Sequence, residues 1–351
     1  MGTRRSFITG LLATGLTPNP TWADAGGAAY ISAGMKPDGS YVLCGLRSDG
    51  SIAFELALPA RGHAAAAHPI LPEAVAFARR PGTYAIVLDC SNGSAKAQLT
   101  APAGRHFYGH GTFALGGELL FTTENDYGKA RGVVGVWSVR RGYTRVGEFW
   151  SGGTGPHDIK LMPDGETLVV ANGGIETHPE TGRTKLNIPT MRPNLSYLSL
   201  DGSILGQVFL ANDLRKNSIR HLAVSTDGQV AFAMQWQGDL TDDQPLLGVQ
   251  SSLSQHPHLF EEASVREMHG YLGSIAINSS MNQIAVTSPR SGVVQIFGKD
   301  GLHARSNLAD VCGVAAIGNG FLATTGTGLA RAAEFGDINH DLAWDNHLIA
   351  I

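Results

Sequence analysis

Thirteen histidines are spread through the 351 residues, and a subset of them recurs at one place in a repeating pattern. His63 and His68, His110, His157, His221 and His347 each lie at or beside the start of a short apolar run. A neutral imidazole offers a nitrogen lone pair, so three or more of them converging on one point would bind iron, copper or zinc. Glu124 and Asp126, in GGELLFTTEND, occupy the other position that could reach that point and are candidate oxygen ligands. A structural reading stands beside this one, because a histidine at a strand start can simply hydrogen-bond a neighbouring backbone. The spacing is also uneven: His110 and His221 are seven residues before Gly117 and Gly228, whereas His157 is eight before Gly165, so their side chains need not share a direction. His256, His258, Glu261, Glu262 and His269 form a second polar group within residues 239–268. A solvated loop with a few histidines is the ordinary outcome there.

Other chemistries lack their residues. The chain has no G-x-S-x-G elbow, no G-x-x-x-x-G-K phosphate loop and no carboxylate pair at glycosidase spacing. Cys44, Cys90 and Cys312 are far apart and outside any C-x-x-C, so zinc knuckles and covalent haem are excluded and at most one disulfide can form. In YVLCGL and AIVLDC, Cys44 and Cys90 read as small buried residues. A net charge of −4 does not suit nucleic acid.

The elements that would position the histidines are short strands. Charged residues make up only 16% of the chain, glycine reaches 45, and β-branched or aromatic runs are bounded throughout by Asp-Gly, Gly-Gly or Asn-Gly turns. A longer unit of inner strand, tight turn, second strand and polar loop repeats at 109–126, 155–174, 218–238, 271–292 and 310–328, with a diverged copy at 73–93. Two more strands fit between copies, for example NLSYLSLDGSILGQVFL, which gives four strands per unit and predicts an all-β, seven-bladed β-propeller. Six or eight blades would follow if residues 239–268 or 328–343 were misread. The first blade lacks an innermost strand. The run Asn346-His347-Leu348-Ile349-Ala350, similar to Arg220-His221-Leu222-Ala223-Val224, supplies it and closes the ring through the C-terminal strand. Residues 239–268 are expected as an insertion that forms a lid.

The N-terminus reads as an address. Arg4-Arg5-Ser6-Phe7-Ile8, a short apolar run and the small-x-small site Ala23-Asp24-Ala25 predict a twin-arginine signal peptide over residues 1–25 and a periplasmic mature chain from residue 26. The apolar run is too short to span a bilayer. Cleavage removes two arginines and one aspartate and leaves a net charge of about −5.

HPILPEAVAFARRPGTY, GPHDIKLMPDG and AWDNHL carry a resemblance over the whole mature chain to a bacterial, twin-arginine-exported, propeller-like family of unknown function, of about 350–370 residues. Ala78-Arg79-Arg80-Pro81-Gly82 and Trp344-Asp345-Asn346-His347 are its most specific parts. Members are often encoded beside imelysin-type, iron-regulated lipoproteins and a di-haem thiol-oxidoreductase-like protein. The resemblance therefore implies a role in periplasmic iron or haem acquisition and assigns no catalytic residue. Three functions follow as expectations. The first is a non-catalytic, monomeric component of an iron-uptake system whose histidine-rich mouth binds iron, copper, non-covalent haem or a periplasmic or lipoprotein partner carrying one. The second is a metal-dependent oxidoreductase or hydrolase with Glu124 or Asp126 as base. The third is a protein-interaction scaffold, with Trp137, Trp150 and Trp236 as core or rim aromatics.

Overall fold

The computed structural model describes residues 20–182, 184–253, 256–332 and 334–351. Among the described residues the chain folds into seven antiparallel sheets: six have four strands that pair in sequence order from an inner to an outer strand, and the sheet of blade 1 has five, two of them short strands from the C-terminal segment. The inner strands of blades 2 to 7 are Gly62–Ala67, Arg105–Ala114, Pro156–Leu161, Asn217–Val224, Ser274–Asn278 and Val311–Ile317. In blade 1, Tyr30–Met35 pairs with Tyr41–Leu46 on one side and with Ala343–Trp344 and Ile349–Ala350 on the other. The C-terminal segment is thus the innermost strand of blade 1, as expected. It is interrupted at Asp345–Leu348, where the His347 carbonyl accepts a bond from Ser32 Oγ at 2.7 Å.

Turn chemistry sets the hairpins. At Asp49-Gly50 and Asp164-Gly165 the glycines take φ of 87° and 73°, the left-handed region that suits glycine, and each aspartate accepts a backbone N–H two residues on at 2.8–2.9 Å. Burial grades from axis to rim. The second strand of blade 2, Glu73–Ala78, is buried at every position, whereas the outer strand of blade 3, Thr144–Trp150, is exposed at five of seven. Inner and middle strands lie between neighbouring blades and need apolar side chains on both faces, while outer strands meet solvent. The largest core, around Phe232, Met234 and Phe297, binds blades 4, 5 and 6 together.

Several expectations need correction. Residues 239–268 are not an inserted lid. They contain Pro245–Gln250 and His258–Ser264, the third and fourth strands of blade 5. The unit at 73–93 is out of phase, since Glu73–Ala78 and Tyr84–Asp89 are second and third strands and the inner strand of that blade is Gly62–Ala67. All three cysteines are buried and free, and burial pushes each thiol up to about 12. Trp137 and Trp236 are buried, whereas Trp150 is exposed. The twin-arginine segment at residues 4–8 lies outside the described residues. Upstream of the expected mature start, Trp22 donates its indole N–H to the His68 carbonyl at 2.9 Å and Ala25 is buried. No helix among the described residues is long and apolar enough to cross a membrane.

Candidate metal centre

Each axial histidine sits at an irregularity in its strand. The register of the inner strands shifts between Gly62 and Ala65, Phe107 and Gly111, Pro156 and Asp158, and Ile219 and His221. A bulge adds a residue and re-aims the side chains beside it. His63, His110, His157 and His221 lie at these four shifts, and His347 lies in the gap of the blade 1 inner strand. The extra residue in blade 4 is His157 and in blade 5 is Arg220. The bulges therefore absorb the uneven spacing that left their directions open.

The five rings meet on the axis. His63, His157, His221 and His347 form a closed four-membered circuit with centroid separations of 5.6, 4.8, 5.0 and 4.6 Å in turn. His110 contacts all four, at 5.1, 5.0, 6.0 and 4.7 Å. In two overlapping triads, His63–His110–His347 and His110–His157–His221, one ligand nitrogen from each residue lies within 4.8 Å of the others. Metal–imidazole bonds of about 2.0–2.1 Å would require these rings to close inward modestly.

Hydrogen bonding singles this cluster out. His63 Nδ1, His110 Nε2, His157 Nδ1, both nitrogens of His221 and His347 Nε2 are buried without a hydrogen-bond partner among the described residues. Buried polar atoms are nearly always paired, so six orphans at one point single it out as the candidate ligand site. His110 has one partner. Its Nδ1 lies 3.1 Å from Asp158 Oδ1, and Asp158 also accepts the Ile159 and Leu222 N–H groups. With the proton on Nδ1 facing the carboxylate, Nε2 keeps its lone pair toward the axis, the carboxylate–histidine relay found behind metal ligands. Burial alone would raise the Asp158 pKa. Lys160, His110 and the Leu222 N–H outweigh it and hold the carboxyl well below its ordinary range.

Electrostatics keep four of the rings, His63, His157, His221 and His347, neutral. Burial first, then nearby imidazoles, hold His63 and His347 well below the usual histidine value. Burial and then Arg220 do so for His157, and burial and then His110 push His221 down to about 3. Unprotonated imidazoles are the form that binds metal.

A cavity flanks the cluster on each side, each of about 260 Å³. His63 and His157 border one, His110 borders the other, and His221 and His347 border both. The first lies beneath the loops between second and third strands, is bordered by Gln235 and Trp236, and adds five basic residues that the sequence pattern did not nominate: Arg79, Arg80, Lys185, Arg220 and Arg290. The second is walled by Asp158, Lys160 and apolar inner-strand residues such as Ile275 and Val314.

Five of the eight sequence-nominated residues thus come together, and three do not. His68 faces away from the axis, packing on Phe113 with its Nδ1 accepting the Ile70 and Leu71 N–H groups. Glu124 is fully buried within blade 3 and clasped by Arg145 at 2.6 and 3.0 Å. Asp126 lies 3.6–3.7 Å from Arg105, Lys129 and Arg131. Neither carboxylate borders the axial cavities, so neither serves as the expected ligand or base. Asp158 is the acid that the sequence reading missed. The second group also stays apart: His256, His258 and His269 are exposed, and His269 Nδ1 lies 3.2 Å from the Arg290 carbonyl.

The fold and the site define a closed seven-bladed propeller with an imidazole cluster on its axis. Within that class, the chain belongs to the DUF1513 family, described as proteins of unknown function, whose model matches residues 56–351. Among curated proteins none matches. Among solved structures the chain is similar to hydrazine synthase of Kuenenia stuttgartiensis, at a TM-score of 0.60 and 14% identity, covering 93% of this chain and 98% of that one. At that identity the likeness is one of fold.

Proposed function

We propose that the protein is a non-catalytic, periplasmic metal-binding component of an iron-acquisition system, holding a transition-metal ion on the propeller axis through His63, His110, His157, His221 and His347. The observation that carries this reading is the set of six buried, unpartnered ring nitrogens contributed by five blades. Imidazole-only donors suit copper, zinc or ferrous iron, and no cysteine borders either axial cavity among the described residues. The two cavities of about 260 Å³ fall below the roughly 300–1,000 Å³ that holds a drug-sized ligand, which favours an ion over haem. The assignment to iron acquisition rests on the genes that accompany the resembling family, and export rests on the Arg4-Arg5 leader.

The test is elemental analysis and metal titration of the natively exported protein. About one equivalent of iron, copper or zinc is expected, removable by chelation and restored on titration. Protein that leaves the periplasm metal-free and has no affinity for any of the three ions refutes the reading.

A further inference from the structure

The two axial cavities differ in charge. The one under the loops gathers Arg79 and Arg80 from blade 2, Lys185 from blade 4, Arg220 from the blade 5 bulge and Arg290 from blade 6, with Asp345 as its one acidic lining residue. Asp345 is already paired with Arg61 at 2.9 Å. Four of the five cations meet no carboxylate within ion-pair distance among the described residues: Arg80 lies over the Tyr108 ring, Arg290 lies over Tyr271, Lys185 has no pair, and Arg220 Nε is buried without a partner. The cations press on one another. Burial, followed by Arg220, Arg290 and Arg80, lowers Lys185. Such a concentration of positive charge in a chain of net charge −4 is local and costs stability unless negative charge offsets it.

We infer that this cavity binds a small polyvalent oxyanion, carrying two or more carboxylate or phosphoryl groups, directly against the imidazole cluster. Guanidinium forks match both groups, and a cavity of about 260 Å³ admits a small molecule rather than a polymer. The anion site does not depend on the metal proposal, since the basic groups call for negative charge whether or not the imidazoles hold an ion. If both are bound, the oxyanion offsets the repulsion between metal and arginines, so each raises the affinity for the other by the same factor.

The experiment is calorimetric titration of chelator-treated protein with citrate and with pyrophosphate, with acetate as the monovalent comparator. Citrate or pyrophosphate is expected to bind one to one, about tenfold or more tighter than acetate, and to weaken steeply with salt. The stronger of the two arms identifies carboxylate or phosphoryl as the preferred chemistry. R220Q should lose about tenfold while its melting temperature holds or rises, because a buried like charge has been removed. If R220Q fails to fold, K185Q and R80Q on the loops carry the same test. No preference for either polyvalent anion over acetate, or a preference unchanged by all these substitutions, overturns the inference. Anion binding without metal affinity would sink only the metal reading, and metal affinity without anion binding only this one.

Discussion

Two buried polar regions lie one strand layer apart in this propeller and have opposite character. Inside blade 3, Glu124 accepts two bonds from Arg145 and one from Thr122 Oγ1, Arg145 stacks on Trp137, and the Trp137 indole bonds Thr122. That carboxylate is fully engaged. On the axis, five imidazoles leave six nitrogens with no partner among the described residues. Burying polar atoms costs free energy in both places, but only blade 3 recovers it within the chain. The contrast separates a polar group whose bonds are met within the fold from a cluster whose bonding capacity is unmet within it.

The largest effect that would sharpen this contrast is the combined H110A/H157A/H221A variant. It is expected to lose metal binding altogether, an affinity loss of about a thousandfold or more, while the circular dichroism spectrum stays native. Retained stoichiometric metal would place the ion elsewhere. The converse variant, E124Q, is expected to lower unfolding free energy by about 1–3 kcal/mol in denaturant melts, because Arg145 loses its buried carboxylate partner and keeps only the exposed Glu148 at 3.0 Å, with metal affinity unchanged. A fall in metal affinity would return Glu124 to the site. D158N removes the carboxylate behind His110 and should weaken the metal by about 10–100-fold without abolishing it. An unaltered binding constant would make the Asp158–His110 contact purely structural.

The smallest effect concerns pH. Because burial depresses His63, His157, His221 and His347, these rings stay neutral in the folded state while the unfolded chain protonates near 6.5. Their neutrality is therefore without cost above pH 6.5. In chelated protein, stability falls as pH drops from 6.5 toward the depressed values, about 3 for His221. H347N should flatten that acid slope by up to about 1.4 kcal/mol per pH unit in denaturant melts repeated across pH. An unchanged slope would mean that His347 titrates alike in both states.

Much of the ring was legible because Asp-Gly, Gly-Gly or Asn-Gly turns recur around it, and because His347 stands in a run resembling that around His221. The second blade was read out of phase because GHAAAAHPILPE offers no glycine turn between its first two strands. Residues 239–268 passed for an insertion because Trp236 to Gln244 is polar and aspartate-rich, masking the apolar PLLGVQ that follows. The imidazole convergence was foreseeable from repeat position, but its geometry was not, since bulges at His157 and Arg220 shift the register in ways that counting to a glycine cannot capture. Glu124 and Asp126 were misplaced because residues two apart on a strand share a face, and that face meets the basic residues Arg105 and Arg145 rather than the axis. The cations of the mouth were in view in Ala78-Arg79-Arg80-Pro81-Gly82 and in Arg220 beside His221. Searching for metal ligands alone passes over basic residues.

The most direct measurement is an anomalous difference map from crystals of the natively exported protein, collected across the absorption edges of iron, copper and zinc. The account predicts a single axial peak about 2.0–2.3 Å from nitrogens of three or more of His63, His110, His157, His221 and His347. A map without an axial peak at any edge, with those imidazoles instead hydrogen-bonded to ordered water, would contradict it.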